Sequence, residues 1–306
     1  MKKTKKFLTL ILTIGLLFSL SGCDDEDNGE GIIEPDITAE PTPEPLPFPV
    51  IIGGVEVAES PLRAVSLSPS LTEIIGELGY TSRIIGRGTF CDYPLTVLGL
   101  PDAGSAANPD IDRIISLSPS LVLTTTPLSS RDTFRLEQAG VTVLVLPVGG
   151  GLSDLRDVYS AVGLAFEGIF TGAESGQEAF SVISRACDNK DVVNLGKFIY
   201  ITGDFKAATG DTLEDAILSC FGENLASGGE DYEFDFSLLL ENQPDVILLS
   251  NKFTEDDLLE EEYLSRLDAV SQGRIIFIDN SFFERPSARL TWLIDKMLAD
   301  YAAMGR

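Results

Sequence analysis

Histidine is absent from this 306-residue chain. That removes the base of Ser-His-Asp and Cys-His mechanisms and the imidazole ligands of zinc, copper and haem sites. Neither G-x-G-x-x-G nor G-x-x-x-x-G-K-[ST] occurs, so the common dinucleotide and nucleoside-triphosphate loops are missing. Positive charge is scarce: 22 Lys and Arg against 48 Asp and Glu leave a net charge of −26. A surface of that sign repels nucleic acid and anionic headgroups and disfavours a polyanionic ligand. Tryptophan occurs once, at Trp292, inside a helical pattern where a core position is expected. What is plentiful is apolar: 44% hydrophobic residues beside 23% charged describe a globular body with a real core, as one large or two modest domains.

The first 22 residues have a basic start (Lys2, Lys3, Lys5, Lys6), an apolar run of about 13 residues from Phe7, then small residues. This is the layout of a secretory signal. A membrane span, the alternative, needs about 20 apolar residues. Leu20-Ser21-Gly22-Cys23 resembles the lipobox of bacterial lipoproteins, which implies lipidation at Cys23 and a home on the outer face of the cytoplasmic membrane. Between Asp24 and Ser60 stand eleven acidic residues, no basic ones, and prolines at 35, 41, 43, 45, 47 and 49. Like charges repel and prolines favour extended backbone, so residues 23–60 are expected to form a solvated tether. Cys91, Cys187 and Cys220 remain; an oxidising location permits one disulfide among them, and the odd count leaves one thiol over.

From residue 61 strand and helix signals alternate, which predicts a mostly parallel sheet covered on both faces. Ala64–Ser68 reads as a strand, 69–78 as a helix stopped by Gly79, and Ile84–Gly86 as a second strand. Helix 111–117, Pro119 and strand 121–124 have a counterpart in helix 236–241, Pro244 and strand 246–249 at the same spacing. The pattern predicts two similar α/β lobes, 61–150 and 195–306, joined by a helical segment over 151–194. The second part of that segment would bridge them stiffly, with a ligand cleft between the lobes.

Ligands of open α/β sheets sit outside the carboxyl ends of the strands. Loops 68–70, 88–94, 124–127, 203–205, 250–253 and 280–285 are therefore the candidate cleft, with Ser68, Phe90, Tyr93, Thr125, Thr126, Phe205, Phe253, Phe282 and Glu284 as candidate contacts. So aromatic a set suits a large, flat ligand. Glu284 either pairs with Arg285 or faces a donor on the ligand, and Asp92 either shapes a turn or serves the site.

Val65-Ser66-Leu67-Ser68-Pro69-Ser70-Leu71-Thr72-Glu73-Ile74, Cys91-Asp92-Tyr93-Pro94 and Phe283-Glu284-Arg285-Pro286-Ser287-Ala288-Arg289 resemble segments of the solute-binding proteins of vitamin B12 and ferric-siderophore ABC importers, the cobalamin branch most of all. The similarity spans residues 62–303. It implies two lobes, a corrinoid-like ligand in the cleft, no enzymatic activity, no resident cofactor or metal, a monomer, and an ABC permease with its ATPase as partners. Phe90 and Phe282 match aromatic contacts and Glu284 a polar one. Asp112 falls where the family docks on its permease. The matching place in the second lobe is Ser237, with Asp235 or Glu241 as substitutes. Tryptophans of cobalamin binders are replaced by Ala106, Thr125 and Asp231, the last with Tyr232 beside it as a further candidate contact. Rival readings are a ferric-siderophore or haem binder on the same fold, an α/β enzyme using Asp92 with Glu284, and a surface scaffold or adhesin.

Overall fold

The computed structural model describes residues 47–188 and 193–305. The signal segment 1–22, Cys23 and the tether up to residue 46 lie outside the described residues. Among those described, no helix is long and apolar enough to cross a membrane.

The expected tether ends sooner than its composition implies. Val50–Ile52 (β1) and Val55–Val57 (β2) form an antiparallel hairpin turned by Gly53 and Gly54, both at positive φ. Val50, Ile52 and Val57 are buried in the main core. The reason is local: the acidic, proline-rich composition gives way to an alternating apolar pattern around Gly-Gly, a two-residue hairpin signal.

Two sheets follow with the same strand order. The first is built from Ala64–Ser66 (β3), Ile84–Arg87 (β4), Leu121–Thr124 (β7) and Thr142–Val145 (β8), ordered β4-β3-β7-β8 and parallel throughout. A two-residue ladder, Gly104–Ser105 (β5) with Asn108–Pro109 (β6), sits apart. The second sheet uses Lys197–Ile201 (β9), Glu223–Asn224 (β10), Val246–Ser250 (β11) and Ile275–Ile278 (β12), ordered β10-β9-β11-β12, again parallel. Each lobe thus runs second strand, first, third, fourth. The central strands β7 and β11 are buried along their whole length, as strands covered on both faces must be.

In the first lobe, Pro69–Glu77 (α1) follows β3, while Ile111–Leu117 (α2) and Ser130–Gln138 (α3) flank β7. Leu152–Glu167 (α4) and Gly172–Asp188 (α5) form the bridge as a helical hairpin. Their backbones approach so closely that a Cβ on Gly163 would stand 1.9 Å from the Gly172 carbonyl oxygen. The second lobe adds Leu213–Leu218 (α6), Glu255–Glu260 (α7), Asp268–Ser271 (α8), Ser281–Glu284 (α9) and Leu290–Ala303 (α10). Where the first lobe has α2, the second has a 3-10 turn, Phe236–Leu240. One apolar core runs from the hairpin through α1, the bridge and α10, and separate clusters cover the outer face of each sheet.

A second joint ties the lobes together. Residues 285–289 lead from the second lobe onto α1 of the first. Ser70 Oγ donates to the Pro286 carbonyl (2.5 Å), Ser287 Oγ to Glu73 Oε2 (2.5 Å) and the Ala288 amide to Glu77 Oε1 (3.0 Å). Arg289 pairs with Glu73 at 3.3 Å, and Arg285 Nη1 reaches both oxygens of Asp92 at 2.8 and 2.7 Å. Tyr159 of α4 donates to Glu77 Oε2 at 2.5 Å. Burial lifts the Glu77 pKa from 4.5 to about 7, against these two hydrogen bonds, and burial also raises that of Glu73.

Candidate functional site

The carboxyl ends of both sheets open into one cleft. Its larger cavity, about 750 Å³, is walled on one side by Ser68–Ser70 after β3, Thr125–Pro127 after β7 and Pro147–Gly150 after β8. The opposite wall comes from Asp211–Glu214 at the start of α6, Asp231, Tyr232, Phe283 and Glu284, with Pro286 at the joint. An adjoining cavity of about 450 Å³ shares Glu214, Tyr232, Phe283 and Glu284 and adds Thr202–Asp204, Lys206, Lys252 and Asn280.

Local chemistry explains why the chain turns as it does here. Ser68 is the N-cap of α1, its hydroxyl accepting from the Leu71 amide at 3.4 Å, with Pro69 at the first helical position. Thr212 caps α6 in the same way, accepting from the Asp215 amide at 3.2 Å. Asp231 and Tyr232 both hold positive φ (55° and 62°), a conformation that costs non-glycine residues energy. The Asp231 amide donates to Asp211 Oδ2 and the Tyr232 amide to Thr209 Oγ1, which hold that turn. The Tyr232 hydroxyl is thereby set against the Glu214 carboxylate at 3.2 and 3.4 Å.

The charge is one-sided. In the larger cavity Asp211, Glu214, Asp231 and Glu284 all belong to the second lobe, and the first lobe's lining carries no charge. The two lysines of the adjoining cavity are both engaged, Lys206 with Glu233 (2.6 Å) and Lys252 with Glu284 (2.8 Å). Asn280 also donates to Glu284 Oε1 at 2.8 Å. The Lys252 hydrogen bond lowers the Glu284 pKa, so that carboxylate is ionised at neutral pH. Burial raises that of Glu214, and burial together with the Glu214 charge raises that of Tyr232, whose hydroxyl keeps its proton.

Of the residues expected to meet a ligand, Ser68, Thr125, Thr126, Tyr232 and Glu284 line the cleft. Phe90, Tyr93, Phe205, Phe253 and Phe282 do not line either cavity. Phe90 is 64% exposed. Phe205 and Phe253 stack edge to face at 4.8 Å and pack against the second lobe's outer core. Tyr93, Phe282 and Trp292 surround the Arg289 guanidinium at 4.8, 5.4 and 5.7 Å. Trp292, expected in the core, is instead 53% exposed. The phenylalanine that faces the cleft beside Tyr232 is Phe283, against Tyr200 at 5.7 Å. Phe282, its neighbour in the chain, points elsewhere because 281–284 is a turn of helix (α9), not an open loop. Glu284 and Arg285 pair with Lys252 and Asp92 rather than with each other.

Loops 147–150 and 209–214 were not among the expected ones. Pro147-Val148-Gly149-Gly150 follows β8, and its Pro/Gly composition was a usable sign of a loop at a strand's carboxyl end. Asp211 and Glu214 flank the N-cap of α6, a place that in the sequence carries no sign of a cleft.

Asp112 is exposed on α2 and pairs with Arg135 at 2.5 Å. Asp235 is the N-cap of the 3-10 turn, accepting from the Ser237 amide at 2.9 Å; hydrogen bonds from the Ser237 side chain and then its amide lower the Asp235 pKa, and Glu241 ends that turn.

No family model matches the chain. An uncharacterized ABC transporter substrate-binding lipoprotein of Bacillus subtilis (strain 168) is 26% identical over 265 residues, covering 79% of this chain and 82% of the relative. A vitamin B12-binding protein of Vibrio campbellii is 22% identical over 263 residues, covering 79% and 90%. Among solved structures, a periplasmic heme-binding protein of Roseiflexus sp. RS-1 superimposes with a TM-score of 0.62 at 23% identity, over 80% of this chain and 99% of that one. The chain has the two-lobed periplasmic-binding-protein fold. The resemblance to importer substrate-binding proteins, drawn from residues 62–303, is borne out.

Proposed function

We propose that the protein is the substrate-binding subunit of an ABC importer and that it carries a neutral or cationic corrinoid in the cleft between its lobes. The observation that carries this reading is the larger cavity: both lobes line it, its size suits a small-molecule site, and among the described residues the charged side chains lining it are all carboxylates. A trianionic ferric catecholate would meet four carboxylates and no unengaged cation there, at an electrostatic cost. An amide-rich corrinoid finds acceptors on the acidic wall and hydroxyls at Ser68, Thr125 and Thr126 on the other. The relatives' names support a binding role over an enzymatic one. Ser68, Thr125, Thr126, Tyr232 and Glu284 are the proposed contacts. Asp112, with Asp235 or Glu241, meets the permease, and a lipid on Cys23 holds the protein to the outer face of the membrane.

Haem is the second reading, favoured by the Roseiflexus neighbour. Against it stand the missing histidine and the protonated Tyr232, the phenol nearest the cavity, whose hydroxyl is committed to Glu214.

Protein starting at Pro47, which keeps the β1–β2 hairpin, is titrated with cyanocobalamin, cobinamide, haem and a ferric catecholate siderophore, with binding read by absorbance and calorimetry. Saturable corrinoid binding without siderophore binding is expected. Siderophore binding without corrinoid binding overturns the ligand, and no binding by any of the four overturns the cleft as the site.

A further inference from the structure

Of the three cysteines in the globular body, the fold separates one and gathers two. Cys91 is fully buried after β4, its thiol directed at the Ser66 carbonyl at 3.7 Å. Cys187 sits in the last turn of α5, and Cys220 lies two residues beyond α6. Cys187 belongs to the core cluster that includes Leu195, Phe198 and Phe221, Cys220 packs against that cluster, and their side chains are hydrogen-bonded to each other. The backbone holds the same neighbourhood together independently: the Leu195 amide donates to the Phe221 carbonyl at 2.7 Å, and Lys197 and Glu223 are paired in the β9–β10 ladder.

We infer that Cys187 and Cys220 form a disulfide in the mature protein, stapling the end of the bridge to the turn that follows the first helix of the second lobe. The oxidant is the disulfide of an extracytoplasmic thiol oxidase, so the inference rests on the proposed location for its supply. Access dictates the order of events. Cys220 is only half-buried and lines a surface cavity of about 410 Å³ with Val193, Asn194 and Glu223, whereas Cys187 is buried and does not line it. Its hydrogen bond to Cys220 and then its burial hold the Cys187 thiol protonated. The Cys220 thiolate attacks one oxidase sulfur, giving a mixed disulfide and releasing the first oxidase thiolate. Cys187 then loses its proton and attacks the Cys220 sulfur, releasing the second. Two protein thiols are oxidised, one oxidase disulfide is reduced to a dithiol, and the two protons pass from the cysteines to the oxidase sulfurs.

The test is peptide mapping after alkylation of the full chain made with its leader. The expected product is a 187–220 linked pair, two mass units lighter than its thiols, with Cys91 alkylated only after unfolding. Reduction should lower the thermal midpoint on the order of 5–10 °C, and Cys187→Ala/Cys220→Ala should abolish that sensitivity while Cys91→Ala keeps it. A second arm equilibrates the reduced protein in oxidised glutathione. Pairing in glutathione but not in cells sustains the pairing and overturns the location. Failure to pair in glutathione, or a link through Cys91, overturns the inference.

Discussion

The two lobes share a strand order but face each other with unlike walls. On the first, Ser68, Thr125 and Thr126 present hydroxyls among prolines and glycines. On the second, Asp211, Glu214, Asp231 and Glu284 surround Tyr232 and Phe283. A repeated architecture therefore does not imply a repeated recognition surface. The sheets are alike because parallel strands buried on both faces leave few arrangements. The loops at their carboxyl ends are free of that constraint and have diverged, so the second lobe would select the ligand by charge and shape while the first closes the cavity by contact.

The largest effect expected from this contrast is Glu214→Lys, which sets a cation inside the acidic wall and breaks the Tyr232 contact. Corrinoid affinity by calorimetry should fall about 100-fold or more. Tyr232→Ala should cost roughly 10- to 100-fold, the range of a well-packed aromatic anchor. Thr125→Ala on the opposite wall should cost no more than about threefold. If Thr125→Ala proves the worse of these two, the unequal division of labour between the walls is wrong.

At the joint the prediction concerns pH. The folded state raises the Glu77 pKa from 4.5 to about 7, so between those values the folded chain holds a proton that the unfolded chain releases. Stability contributed by this group is therefore present below about pH 4.5 and lost as pH rises through about 7. Glu77→Gln should flatten that slope and raise stability at pH 8 by up to about 3 kcal/mol, an upper bound from the size of the shift. Melting curves at pH 5 and pH 8 check it, and an unchanged slope would refute it. Smallest of all is Arg285→Ala. Asp92 is half-exposed, so its interlobe ion pair should contribute under about 1 kcal/mol, read from the denaturation midpoint.

Much of the frame was legible in the chain. Leu121–Thr124 and Val246–Ser250 announce buried parallel strands by continuous apolar runs, and the helix-proline-strand spacing before each exposes the repeat. The Gly-Gly hairpin at 53–54 was equally local, although the charge and proline count around it pointed to a tether. Individual aromatics were the weak point. Phe282 and Phe283 are adjacent and identical in kind, yet only Phe283 faces the cleft, because a single turn of helix sends neighbouring side chains about 100° apart. Nothing local foretells that Tyr93, from the other lobe, joins Phe282 and Trp292 on Arg289.

By itself the amino-acid sequence determined the alternation of strands and helices, the twofold plan, the acidic surface and the exclusion of histidine chemistry, since each depends on composition or short-range periodicity. Tertiary structure alone decided which carboxylates share a wall, which of three cysteines meet, and that Glu73 and Glu77 are buried against residues more than two hundred positions away. Those outcomes depend on how separate elements pack, and packing brings together residues that no local pattern connects.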